Sequence, residues 1–380
     1  MQYTHDVIII GAGIAGSAMA LACAKLGLRI ALLDKKPPEP VSDEISLRVS
    51  NINFTAEKFL NTLGVSFPEN RRGIFKDIKV LQENSSHTLN FSAATLNLPY
   101  LGSIIENNLL IDLMQKTSAV NSYWPITLEK FANGSLHVKE IGVLSAPLVI
   151  GAEGAHSWLR EQCGILQNEK SYGQTAMVTH IATQKPHANI AYQCFLSMGP
   201  LAYLPLQNEK QCSIVWSSTP AHIDYLMKLD DVTLAQEIAA GLMQQLGPVE
   251  IISKRATFPL MMRHAKHYIA PGVALIGDAI HTIHPLAGQG ANLGLMDVAC
   301  LFEILKTSKD NNRDIGSFAQ LRPYERKRRF ANTMMLNAIQ LLAQNQQPFA
   351  SLRALGMNMI EHSTLIKRLI MLQMYPYAKE

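Results

Sequence analysis

Apolar and polar positions along this chain follow three patterns. Near the start, VIII (Val7 to Ile10) is an unbroken apolar run, followed by GAGIAG, an Ala-rich stretch to about Gly27, and a second apolar run, RIALLD, ending in Asp34. Short apolar runs on either side of a helix-length stretch predict buried strand, helix, buried strand. SAPLVIGAEGAHSWLR (Ser145 to Arg160) repeats the opening of that pattern, with a helix start at Ser157. PGVALIGDA followed by LAGQGANLGLMDVACLFEILK repeats it again: turn, apolar strand, glycines, then apolar residues at helical spacing. Between these lie strand-like runs: IFKDIKVLQ and TLNFSA on either side of polar ENSSH, then TLEKF and SLHVKE joined by the hairpin signal Ala132-Asn133-Gly134. MVTHIAT, YQCFLSM and QCSIVWSS continue the series. Past Arg329 the pattern is helical and Met-rich. There Leu365, Ile366, Leu369, Ile370 and Leu372 beside Lys367 and Arg368 predict an amphipathic helix, whose apolar face meets a membrane, a partner or its own core.

At 380 residues the chain is long enough for two domains, or one large α/β domain with insertions. Its 34 basic and 30 acidic residues leave a formal charge of +4, too small and too dispersed for a nucleic-acid binder. The one strongly basic run, ERKRRF (Glu325 to Phe330), reads as a solvated helix face. Five cysteines without CxxC spacing suggest reduced structural thiols and a cytoplasmic location. Val7 to Ala24 is uncharged and could pass for a signal peptide or a membrane span. His5-Asp6 in place of a basic leader, and three glycines within the run, argue for a turn instead.

Those glycines carry chemistry. G-x-G-x-x-G spacing places Gly11 at a tight turn, Gly13 where a pyrophosphate must come close, and Gly16 where helix packs on strand; Asp34 then faces ribose hydroxyls. With a strand before, a helix after and the acid at the next strand end, the motif predicts a dinucleotide site, though not which dinucleotide. GDAIHTIHPLAGQGAN (Gly277 to Asn292) poses a separate question, because Asp278, His281 and His284 are metal-ligand types. Pro285 biases His284 toward an extended backbone, which disfavours a helical ligand pair. A glycine loop feeding a helix N-terminus suits an electron-rich partner better. The expectation is a cofactor loop and no metal.

GAGIAG, GAEGAHSWLR and LIGDAIHTIHPLAGQGANLGLMD, in this order, resemble the aromatic-ring hydroxylases of the flavoprotein monooxygenase class. LGSIIENNLL, GPLAYLPL and HTIHPLAGQGAN are similar to the ubiquinone-biosynthesis branch, and the resemblance covers nearly the full length. It implies an α/β fold: a Rossmann-like FAD-binding domain interleaved with a β-sheet-rich substrate domain, plus C-terminal helices. The expected FAD segments are 1–70, 100–170 and 265–325, with the substrate domain in 71–99 and 171–264 and the helical region in 326–380.

The resemblance further implies that Gly11, Gly13, Ala15, Gly16 and Asp34 hold the ADP half of FAD, and that Arg48 reaches toward the flavin. Gly277 and Asp278 would meet the ribityl chain and Pro285 the isoalloxazine. The backbone from Leu286 through Gly288 and Gly290 to Asn292 would border the pyrimidine edge. Glu153 stands where the family has aspartate in a motif serving FAD and NAD(P)H, which weakens the expectation of efficient reduction by a nicotinamide. No catalytic acid or base stands out; in this class a C4a-hydroperoxyflavin, made from O2, carries the chemistry. His284, Pro285 and Tyr203, with Pro205 and Leu206, are the pocket candidates. The expected substrate is a polyprenylated phenol or benzoquinol. A small soluble aromatic, or a non-catalytic flavin- or lipid-binding subunit of a biosynthetic complex, remains the alternative. A lipophilic substrate would make a place beside the inner face of the membrane attractive.

Overall fold

A computed structural model of the chain describes residues 3–85, 88–117, 120–132, 134–343, 356–357 and 359–375. The apolar runs Val7–Ile10, Ile30–Leu33 and Leu148–Gly151 are strands buried at every position, which explains their lack of polar alternation. They pair in parallel, with Val7–Ile10 between the other two. Asn121–Tyr123 extends one side of this sheet, and Val273–Leu275 with Ile269–Ala270 the other. The helix Ile14–Lys25 packs against the helices Asn107–Thr117 and Gly290–Asp310. The expected hairpin joins Leu128–Ala132 to Ser135–Val138; Asn133 at its tip lies outside the described residues. So do Ser86 and His87 in ENSSH.

A nine-stranded sheet forms the second layer. Along its main path run His281–Thr282, Ala256–Ala265, Gln167–Thr183, Gln211–Ser218, Gly199–Pro205, Ile190–Leu196, Asp77–Gln82 and Thr88–Ser92. Its central strands send successive side chains to opposite faces. Tyr192, Cys194, Leu201, Tyr203, Cys212, Ile214 and Trp216 form one core with residues of the helices Pro220–Lys228 and Asp231–Gly241. The intervening Ala191, Phe195 and Leu204 belong to two other clusters, which contain Leu101, Ile104, Ile283 and Leu286. This second face therefore looks toward the glycine loop near residue 285. A third, small sheet of Val49–Asn53, Gly102–Glu106 and Gly73–Phe75 stands beside it.

Two details differ from the sequence reading. A single helix spans Phe318–Ala343, so the boundary expected at 325/326 falls inside it. The tail helix Thr364–Met374 also divides its apolar residues: Met371 and the following Tyr375 are buried with Phe75 and Leu101, while Leu365, Ile366 and Leu369 are exposed. Among the described residues, no helix is long and apolar enough to cross a membrane.

Candidate functional site

The first glycine turn is packed from behind and open in front. Gly11 has φ +102°, and a Cβ there would lie 2.3 Å from the Ala152 carbonyl oxygen; one on Gly16 would lie 1.7 Å from the Gly11 oxygen. Around Gly13 the Cβ position has nothing within 4 Å. Two glycines thus close strand, turn and helix together, and the third keeps space clear at the N-terminus of Ile14–Lys25. Free N–H groups and the helix dipole favour a phosphate at such a place. Asp34, at the end of the second strand, accepts from the Ala12 N–H at 2.6 Å and the Lys36 N–H at 3.0 Å, which fixes it beside the turn.

The third motif touches the first. At Gly277, φ is +61°, and a Cβ there would be 3.0 Å from the Ala15 side chain and 3.9 Å from the Gly294 Cα. Asp278 is exposed and has no hydrogen-bond partner among the described residues. Protein nonetheless surrounds it: desolvation raises its carboxyl above the usual range, partly offset by His281, Arg48 and Arg263. A carboxylate so placed fits a hydroxyl-bearing ligand that donates to it. Arg48 is exposed, with Nη1 3.9 Å from Glu39 Oε1.

The two neighbouring histidines bond to different partners, neither of them Asp278. His281 Nε2 lies 2.7 Å from Asp297 Oδ2, and Arg328 Nε donates to Asp297 Oδ1 at 2.7 Å. Gly277 N–H and Asn332 Nδ2 also donate to this carboxylate. Burial would raise the Asp297 pKa, but the opposite charges of His281 and Arg328 outweigh it and bring it down to about 2. His284 Nε2 instead meets Gln174 Oε1 at 2.8 Å, and burial lowers the pKa of this ring to about 4. The arrangement braces a loop and does not converge on an ion. Arg328 also revises the reading of ERKRRF, because this one arginine of the run points inward.

Glu153 uses both oxygens within the chain: Oε2 accepts from the Ser157 hydroxyl at 2.7 Å and Oε1 from the Leu159 N–H at 2.9 Å. It thereby braces the first turn of the helix Trp158–Gln162, whose N-cap is Ser157, and desolvation raises its pKa. Arg160, on that helix, donates to the carbonyls of Ala279 and Ala155, so the middle motif is tied to the third.

Pro285 precedes the short turn Leu286–Gly288, which leads into the helix Gly290–Asp310. Gly288, at φ +60°, lies against Asn51, and Asn292 donates to the Asn51 carbonyl at 2.9 Å while accepting from the Asn53 N–H at 2.9 Å. Val49–Asn53 therefore holds the helix start in place. Leu286 clusters with Val80, and strand register puts Leu204 and the half-buried Val178 and Val215 on the same face of the nine-stranded sheet as Val80. Tyr203 is a correction. It is fully buried on the helix-covered face, and its hydroxyl donates to the Ile238 carbonyl, because strand alternation sends Ala202 and Leu204 to the cleft side instead. Leu206 is buried beside Phe75, and the Pro205 carbonyl packs against Gly73.

Space at Gly13, the unpartnered Asp278 and a helix N-terminus behind Pro285 together fit a flavin dinucleotide. Asp297, Arg328, Arg160 and Gln174 escaped the sequence reading. For Asp297 a signal existed: a lone acid within LMDVACLF must find a buried partner.

A family model described as FAD binding domain matches residues 136–337, and one described as FAD dependent oxidoreductase matches residues 6–42. The chain is 33% identical to 3-demethoxyubiquinol 3-hydroxylase of Escherichia coli (strain K12), over 96% of each chain. It is 31% identical to ubiquinone hydroxylase UbiL of Rhodospirillum rubrum, over 96% of this chain and 88% of that one. Among solved structures, PqsL of P. aeruginosa in complex with 2-aminobenzoylacetate matches with a TM-score of 0.77 at 19% identity, over 93% of this chain and 99% of that one. The p-nitrophenol 4-monooxygenase PnpA of Pseudomonas putida matches with a TM-score of 0.76 at 16% identity, over 98% of each. These two likenesses speak for the fold.

Proposed function

The chain belongs to the FAD-dependent ubiquinone-biosynthesis hydroxylases, and on that premise we propose that it hydroxylates the ring of a polyprenylated phenol or benzoquinol, using O2 and electrons from NAD(P)H. One observation carries this reading: clear space at Gly13 and an Asp278 carboxylate with no hydrogen-bond partner among the described residues stand beside a Pro285–Gly288 turn whose Leu286 clusters with Val80, on the sheet face that also bears Val178, Leu204 and Val215. When bound, FAD supplies the oxygen activation that an electron-rich ring needs. The chain's part is to hold and to shield. Gly11 to Gly16 and Asp34 take the ADP half, Asp278 accepts from the ribityl hydroxyls, and Arg48 lends positive charge. The N-terminus of Gly290–Asp310 favours negative charge at the pyrimidine edge, and the apolar wall opposite keeps water from the reacting centre. In this reading 1–70, 100–170 and the segment from 265 into the helix Phe318–Ala343 form the cofactor unit, with 71–99 and 171–264 roofing it.

A lipophilic substrate implies work at a lipid boundary. Leu365, Ile366 and Leu369 are exposed beside exposed Arg368, which supports contact of the tail helix with the cytoplasmic membrane surface or with a partner in a biosynthetic complex. Mass spectrometry of quinone intermediates in cells lacking the protein tests the reading: one prenylated precursor short of a hydroxyl should accumulate. An unchanged quinone profile overturns it. Purified protein should be yellow and should consume O2 with formation of hydroxylated product, which a non-catalytic subunit would not do.

A further inference from the structure

The loop that carries Pro285 is gripped from across the cleft by an irregularity in the long strand Gln167–Thr183. Pairing with Ala256–Ala265 changes register between Ser171 and Thr175, and Gly173, at φ +67°, donates its N–H to Ser171 Oγ at 3.0 Å inside that break. A bulge of this kind re-aims the side chains around it. Here Tyr172 meets the His284 ring edge-on, with centroids 5.0 Å apart and planes at 90°, while Gln174 Oε1 faces His284 Nε2 at 2.8 Å. The second ring nitrogen is also committed, since His284 Nδ1 accepts from the Leu286 N–H at 3.3 Å. With Nε2 donating and Nδ1 accepting, the imidazole is neutral and its tautomer is fixed. His284 is nine-tenths or more buried and precedes Pro285, so whatever orients its ring also orients the turn.

Resting on the reading that this cleft binds FAD, we propose that Gln174 and Tyr172 are positioning residues that act through His284 to hold the Pro285–Gly288 turn in the shape that meets the cofactor. The grip joins the two layers: the roofing sheet supplies the bulge, and the cofactor loop supplies the histidine. Protonation would break it, because an imidazolium Nδ1–H would face the Leu286 N–H donor. Burial is the cause that keeps His284 neutral, and Tyr172, the titratable group set edge-on against it, has its hydroxyl pushed up by burial and stays protonated. Replacing the Gln174 amide by a carboxylate supplies the missing counter-charge and brings that protonation toward neutral pH.

The experiment follows the bound flavin itself. Holoprotein and the variants Gln174→Glu and Gln174→Ala are compared from pH 8 to pH 5.5 by visible circular dichroism and by FAD dissociation constant, with Tm as a check on folding. The unsubstituted protein should keep one flavin spectrum throughout. Gln174→Glu should match it at pH 8, then change its spectrum and lose FAD affinity about tenfold as pH falls, whereas Gln174→Ala should be altered equally at every pH. If both variants track the unsubstituted protein at all pH values, the proposal is overturned. It is equally overturned if Gln174→Ala differs only through a lowered Tm, with an unaltered flavin spectrum. Protein that takes up no FAD overturns both this inference and the reading beneath it, and is told apart by its lack of visible absorbance.

Discussion

Gly13 and Gly16 differ by what surrounds them, and that difference separates folding from binding. A methyl at residue 16 would overlap the Gly11 carbonyl, so Gly16→Ala should cost about 1–3 kcal/mol or more and lower Tm even without cofactor. Gly13→Ala meets no protein atom. It should leave the apoprotein's Tm unchanged while weakening FAD binding, and a titration of both variants beside their melting curves checks the contrast. Asp278 allows a similar test. Losing a charged acceptor for the ribityl hydroxyls is worth about 1.5–3 kcal/mol, so Asp278→Ala should raise the FAD dissociation constant roughly ten- to hundredfold. Dialysis against a chelator should leave FAD content and activity unchanged, since His281 and His284 are engaged by Asp297 and Gln174. Much of this site was legible in the sequence, because glycine spacing and a strand-end acid have few physical explanations. Tyr203 was misread for an equally physical reason: alternation says that neighbours point to opposite faces, but not which face is the cleft.

At the scale of elements, the helix Gly290–Asp310 gathers the site. Its start is held by Asn292 on Val49–Asn53, and its second turn places Asp297 under His281 with Arg328 on the next helix. Asp297 has a folded pKa of about 2, below its ordinary value of 3.8. It therefore contributes stability that is fully present above about pH 4 and is lost as pH falls toward 2. Asp297→Asn should remove that acid dependence and destabilise the protein at pH 7 by about 3–5 kcal/mol, since Arg328 would stay buried without its partner. Urea denaturation of both proteins at pH 7 and pH 3 measures the two effects together. The strands and helices around this unit follow from periodicity in the sequence. Their braces do not, because His281, Asp297 and Arg328 come from three separate elements and nothing in local spacing pairs them.

At the scale of the whole molecule, the tail helix faces two ways. Leu365 and Leu369 are 69% and 55% exposed, whereas Met371 and Tyr375 are buried. Replacing both leucines by serine should leave Tm within about 1 °C while reducing co-sedimentation with vesicles containing anionic lipid. Full retention of vesicle binding would reassign the surface to a protein partner. The central sheet carries a different implication, one of time. Val7–Ile10 pairs with Leu148–Gly151, which in turn pairs with Val273–Leu275, so the sheet closes only when residues on both sides of most of the chain are present. At a synthesis rate of about 5–20 residues per second, the first strand waits roughly 15–50 s on the ribosome for the last. Through that interval the sheet stays open on the Leu148–Gly151 side, which has no partner strand until Val273–Leu275 is made, so the emerging chain is a natural client for a chaperone, and conditions that slow synthesis should lower the yield of soluble protein before they touch its activity.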